Sequence, residues 1–158
     1  MNVHRGFSML EILIVVAIVA VLATLAAPGM YNSFARDQIV EAAPLVDLAK
    51  KHVGAVWSGG GALPLDNAEA GLPPPGKMIG GTVKSVTVDH GVINVVFGNK
   101  ANGLIQDKTL SFRPAVVEDA PMVPVAWICG RTQGPAGMTV MGENRTDVPS
   151  AALPANCR

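Results

Sequence analysis

Residues 12–35 carry no charged side chain, and from 12 to 27 only Thr24 is not hydrophobic. Few chains can hide such a run in a domain of their own. Coiled as a helix at about 1.5 Å per residue, the run is roughly 36 Å long, enough to cross a hydrocarbon layer of about 30 Å. The whole chain leans the same way: 49% of its residues are hydrophobic and 15% charged, with a mean hydropathy of +0.37, against a usual charged share of about 25%. A membrane span near the N-terminus is therefore the first expectation. A secretory signal peptide shares the basic start and apolar stretch. Against that reading, no Ala-x-Ala triplet follows, Val21-Leu22-Ala23 being the nearest substitute, and the helical pattern continues past the run, so the segment is expected to be retained. Twelve basic residues balance twelve acidic ones in a chain of 158 residues. That balance argues against bulk electrostatic capture of nucleic acid or of an acidic membrane surface.

The flanks of the run orient it. Arg5 precedes it, and by the positive-inside rule it holds the N-terminus in the cytoplasm and sends the rest outward. Glu11 is the anomaly. A carboxylate carried to the centre of a bilayer costs about 2.5 to 3.5 kcal/mol. A position near a helix N-terminus recovers about 0.3 to 1 kcal/mol from the helix dipole. That gain explains tolerance, but not why a carboxylate stands there.

The segment Gly6-Phe7-Ser8-Met9-Leu10-Glu11-Ile12-Leu13-Ile14-Val15-Val16-Ala17-Ile18-Val19 resembles the prepilin signature of type IV pilins and pseudopilins. The resemblance implies a six-residue leader of the type IVa class, 1–6, removed by a prepilin peptidase between Gly6 and Phe7. It further implies N-methylation of the new Phe7 amine, Glu11 as the carboxylate used in filament assembly, and Pro28 as the family's helix-kink proline. The electrostatics are consistent with this, because a methylated amine stays protonatable and can pair with a buried Glu11 of another subunit. Removing one member of a buried pair costs about 3 to 5 kcal/mol.

From Phe34 onward the pattern becomes one-sided, with Phe34, Ile39, Ala42, Leu45, Val46, Ala49, Val53 and Val56 at helical intervals. One rod from Phe7 to about Trp57 is expected, kinked or locally melted at Pro28 and Pro44, each of which deletes a helical hydrogen bond. Ser58-Gly59-Gly60-Gly61 should stop it. Residues 59–81, with Pro64, Pro73, Pro74 and Pro75, read as an irregular connector. Their glycines lack the preceding strand and following Lys-Ser or Lys-Thr of a phosphate loop. Strands are expected at 82–88 and 92–97 around an Asp89-His90-Gly91 turn, at 109–113 limited by Pro114, and at 122–129. The fold class is thus α+β, a long N-terminal helix packed on a four-stranded antiparallel sheet. The strand motifs and Trp127-x-Cys129 are similar to the globular part of major type IVa pilins. The expected organisation is a leader at 1–6, a transmembrane and assembly helix at 7–35, and a head at 36–158.

Cys129 and Cys157 both fall on the side expected to be oxidising, so they are expected to form one bridge, worth roughly 3.5 kcal/mol by the chain-entropy estimate. The resemblance implies that the bridged loop 129–157 is an exposed, specificity-bearing region. No catalytic constellation stands out. His4 lies in the leader, His52 on the helix and His90 in a turn, and Asp66, Glu69, Glu118 and Asp119 read as solvated carboxylates. No enzyme activity, cofactor or metal is expected. Scattered cations and only two tryptophans, Trp57 and Trp127, make a poor nucleic-acid platform, so DNA binding ranks low. Asn144-Arg145-Thr146 spells a glycosylation acceptor, read as coincidence behind a bacterial-type leader. The functional expectation is a type IV pilus subunit that assembles with copies of itself, with the prepilin peptidase, the inner-membrane assembly machinery and, beforehand, inner-membrane lipid as partners. It would stand with its head in the periplasm until it joins a surface filament used for adhesion, twitching motility or DNA uptake. A minor pilin or a type II secretion pseudopilin is the alternative within the same architecture.

Overall fold

The computed structural model describes residues 7–60 and 62–158. The leader and the cleavage position at Gly6, the stop at Gly61, and the side chains of 26–28, with the kink expected at Pro28, lie outside the described residues.

Helix α1 spans Met9–Glu41 and α2 spans Ala43–Gly60. The single rod is thus broken at Ala42, and Pro44 supplies the reason. Without an N–H, Pro44 cannot continue the hydrogen-bond ladder, whereas among the first residues of a new helix that donor is not needed. The Ala42 N–H folds back onto Ile39 O at 3.2 Å, and its own carbonyl restarts the ladder by accepting from Leu45 and Val46. At the far end α2 runs through Gly59 to Gly60, two residues past the expected stop. Glycine costs about 1 kcal/mol in a helix, which a final turn anchored by buried Trp57 sustains.

The buried stripe of the two helices is Ala35, Ile39, Ala42, Val46, Ala49, Val53 and Trp57, stepping by three or four residues as a single helix face requires. Phe34, expected in that stripe, is exposed, and its neighbour Ala35 is buried.

Four antiparallel strands follow in the order β1 (Val83–Asp89), β2 (Val92–Phe97), β3 (Thr109–Val116) and β4 (Ala126–Cys129), and a two-residue β5 (Thr139–Val140) pairs with the end of β3. His90 and Gly91 join β1 to β2 with φ of 50° and 81°, the double positive φ of a type I′ hairpin turn. Val86, Val88, Ile93, Val95, Phe97 and Leu110 face the helices and form the core with the stripe. Two expectations are corrected here. Strand β3 does not stop at Pro114 but passes through it to Val116. The Pro114 carbonyl accepts from Met141 N–H at 2.8 Å, so its ring nitrogen faces the end of β5 and leaves the β4 ladder intact. Strand β4 begins at Ala126 rather than Met122, because residues 117–123 are spent on tight turns, with Ala120 bonded back to Val117 and Val123 to Ala120.

The connector is irregular but fixed. Buried Asn67 donates through Nδ2 to Pro73 O (2.9 Å) and Val86 O (3.1 Å), and its Oδ1 accepts from Val88 N–H at 2.7 Å. It therefore closes the outer edge of β1, which would otherwise present open backbone groups.

Candidate assembly surface

The first turn of α1 is capped by Ser8, whose Oγ accepts from Leu10 N–H at 3.3 Å and whose carbonyl accepts from Glu11 and Ile12 at 3.0 and 3.2 Å. Phe7 stands just before this cap and is 78% exposed. Glu11 sits in the first turn, four residues from Phe7, and its side chain is exposed. Beyond it every described side chain through Leu25 is exposed, as are Met30, Tyr31 and Phe34. A helix apolar on all sides belongs inside a protein bundle or a lipid layer. Among the described residues its own chain buries none of it before Ala35, with only Asn32 half-covered. With each aliphatic side chain worth about 1.5 to 3 kcal/mol on leaving water, this surface requires an apolar surrounding from outside the chain. The one hydroxyl in the run is already satisfied, Thr24 Oγ1 donating to Val21 O at 2.7 Å.

The head closes around Cys129 and Cys157, which form a disulfide with a Cα–Cα distance of 4.6 Å; both residues are buried. Gly130, at φ 57°, has the Cys157 carbonyl where a Cβ would stand, and Arg131 N–H donates to that carbonyl at 3.0 Å. The loop between the cysteines then crosses the face of the sheet turned away from the helices. There Ser111 Oγ donates to Asn94 Oδ1 at 2.7 Å and accepts from Arg145 N–H at 2.9 Å, and both polar residues are buried. Asp147 holds Thr109 from both sides, accepting from its N–H at 2.5 Å and donating to its carbonyl at 3.1 Å. Asn144, first residue of the glycosylation triplet, donates its amide to Gly130 O at 2.8 Å, so this side chain is part of the loop's own scaffold. Arg145 also reaches Asp89 at 2.6 Å, and His90 Nδ1 is 2.6 Å from the other Asp89 oxygen. The His90 hydrogen bond first, and the Arg145 guanidinium after it, hold the Asp89 carboxyl below its ordinary range, against a partial desolvation that opposes them.

Of the residues singled out from the sequence, Phe7 and Glu11 share one helix end, and the two cysteines meet within the head, in the core that also holds Ala35 and Ile39. The sequence reasoning missed Asn67, Asn94 and Ser111. A signal for the last two existed: Val92-Ile93-Asn94-Val95-Val96-Phe97 is a nearly unbroken apolar run bounded by turns, the mark of a strand covered on both faces.

Residues 35–158, the whole of this head with the last turns of α1, match the pilin family of bacterial filament proteins. The chain belongs to the pilin family. Residues 1–27 of this pilin separately match the prokaryotic N-terminal methylation motif. The pilin is 32% identical to a type IV major pilin protein PilE1 of Neisseria gonorrhoeae, over 99% of its own length and 88% of the relative's. It is 33% identical to a type IV major pilin protein PilE of the same species, over 99% and 95%. A fimbrial protein of Neisseria meningitidis serogroup B is 32% identical over 82% of this pilin and 75% of the relative. This pilin is a structural protein, a subunit of a bacterial filament, and its long helix packed on an antiparallel sheet is the pilin fold.

Proposed function

We propose that this pilin is the main subunit of a type IV pilus, made as a membrane-anchored precursor and polymerised through α1. A prepilin peptidase cuts between Gly6 and Phe7, the Phe7 amine is methylated, and residues 7–35 serve first as the inner-membrane anchor and then as the filament core, with 36–158 as the head. The apolar surround that α1 demands is lipid before assembly and copies of the same helix afterwards. The pilus machinery of the inner membrane moves the subunit between the two. The observation that carries the reading is Glu11, an acid one helical turn from Phe7 at the head of an otherwise uncharged run. In the filament its carboxylate pairs with the Phe7 amine of a neighbouring subunit. The similarity to two proteins named major pilins favours a main subunit over a minor pilin or a secretion pseudopilin, and the zero formal charge gives no support to a DNA receptor.

The test is Glu11→Val. Membrane insertion should persist, since a costly charge is removed, while each Phe7 amine buried without its partner costs about 3 to 5 kcal/mol per added subunit. Sheared fibres are weighed against processed pilin left in the membrane. Parental fibre yield from the variant would end the pairing mechanism.

A further inference from the structure

The head carries a projecting apolar side chain at one end and an open apolar groove nearer the other. Met122 is 92% exposed on the loop between β3 and β4. The backbone bonds Ala120 to Val117 and Val123 to Ala120, together with Pro121, hold it out. Glu118 and Asp119 flank it, and among the described residues neither forms an ion pair. The groove lies where α1 meets α2. Ile39, Val40, Val46, Phe112, Pro154 and Cys157 line a volume of about 240 Å³, larger than the roughly 150 Å³ cavity that takes up a benzene molecule.

The groove carries one acid and one cation of its own, Asp47 and Lys50, and a second cation, Arg36, lies one turn before Val40. Lys50 Nζ lies 4.8 Å from the centre of the Phe112 ring and only 3.5 Å from the well-exposed Asp47 carboxylate. Arg36 gives both of its hydrogen bonds to Ala151 O. The methionine that follows Glu118 and Asp119, and the groove, whose two nearby cations outnumber its one acid, are complementary in polarity and in charge. They do not meet within one chain. Phe112, in the wall of the groove, is four residues short of the end of β3, which places the 117–123 loop more than about 13 Å further along the strand direction, on the side of the 90–91 turn.

We propose that in the filament Met122 of one copy seats in the groove of a second copy. The contact joins two different surfaces of the same molecule, so it is heterologous and repeats without closing, the interface type that yields an open helical polymer. It would add head-to-head register to the helix packing, and it rests on the polymerisation proposed above.

The experiment uses whole fibres. Val40→Cys and Met122→Cys are made singly and together, and sheared fibres are treated with a short bis-maleimide; the native cysteines are buried in their disulfide. The double variant should give a ladder of covalent multimers, each single variant should stay monomeric, and a mixed fibre of the two singles should stop at dimers. Normal fibres of the double variant without a ladder would overturn the proposal while leaving polymerisation intact. Absence of fibres from the parent strain would instead refute polymerisation itself. Should the cysteine pair fail to assemble, Met122→Leu and Met122→Glu decide. Leucine should keep parental yield and glutamate should lower it at least about tenfold, the scale of one lost buried methionine contact; equal yields from the two would overturn the contact.

Discussion

Replacing Asn67 by alanine should destabilise the head far beyond the average surface substitution. The side chain is 4% exposed and serves three backbone groups: the carbonyls of Pro73 and Val86 and the N–H of Val88. Alanine leaves all three without that partner at a place water scarcely reaches. A buried donor left unsatisfied costs about 1 to 3 kcal/mol and each of the two further lost bonds about 0.5 to 1.5 kcal/mol, so a loss of roughly 2 to 6 kcal/mol is expected. With a urea slope of about 1 to 3 kcal/mol per molar, the midpoint should fall by at least about 0.7 M. The assay is urea unfolding of the full chain in detergent, followed by Trp57 and Trp127 fluorescence. Asn67→Asp sharpens it, because aspartate keeps the acceptor for Val88 but sets a carboxylate against two carbonyl oxygens. It should be no more stable than alanine. A midpoint within about 0.2 M of the parent for Asn67→Ala, corresponding to less than about 0.5 kcal/mol, would refute the assignment of Asn67 as the clasp of the β1 edge.

Mass spectrometry of sheared fibres should find subunits beginning at methylated Phe7, and a bulky residue in place of Gly6 should leave the leader attached. Cys129→Ser should leave membrane insertion unchanged but speed hydrogen exchange between residues 130 and 156, since the loop loses a constraint worth roughly 3.5 kcal/mol; equal protection would count against it. Gly142→Ala should loosen the same loop, because the new methyl would overlap Val92 Cγ2 at a residue with φ of 77°; limited proteolysis reports it. Acid should act there too. The Asp89 carboxyl titrates below its ordinary value, so its link to Arg145 contributes fully above the ordinary carboxylate range and is lost as pH falls through the lowered value. The protection of the Arg145 amide, relative to its intrinsic exchange rate at each pH, should fall over that window in the parent and show no such fall in Asp89→Asn.

The long helix, the hairpin and its turn were legible because each writes a local signal: an uncharged run, a three-to-four spacing, two strands around His90-Gly91. The break at Ala42 was half legible, since Pro44 announces a disturbance but only the tertiary stripe decides that the second helix restarts in line. What escaped was the outer cover of the sheet. Asn94 and Ser111 find their partners 17 residues apart from each other and, through Arg145, 34 residues further on. A loop with no periodicity supplies that cover, so nothing in a short window marks it. Strand β5, two residues long, is set by Gly142 packing on Val92 and by Met141 bonding Pro114, contacts that exist only after the chain has folded.

Arg36 holds the carbonyl of Ala151 across 115 residues of sequence, and Leu153 and Cys157 belong to the same core as Ala35 and Ile39. The order of manufacture is therefore opposed to the order of closure. Synthesis delivers α1 first, at about 5 to 20 residues per second for the whole chain, and the groups that seal its inner face arrive many seconds later. During that interval, on the proposed route, an anchored helix trails a sheet whose outer face is bare. Tethering to a membrane keeps such half-dressed chains spread over a surface instead of free to collide in bulk solution. On the proposed membrane-anchored route, a subunit whose last turn has docked before it joins the fibre brings a finished head, closed by the bond between Cys129 and Cys157.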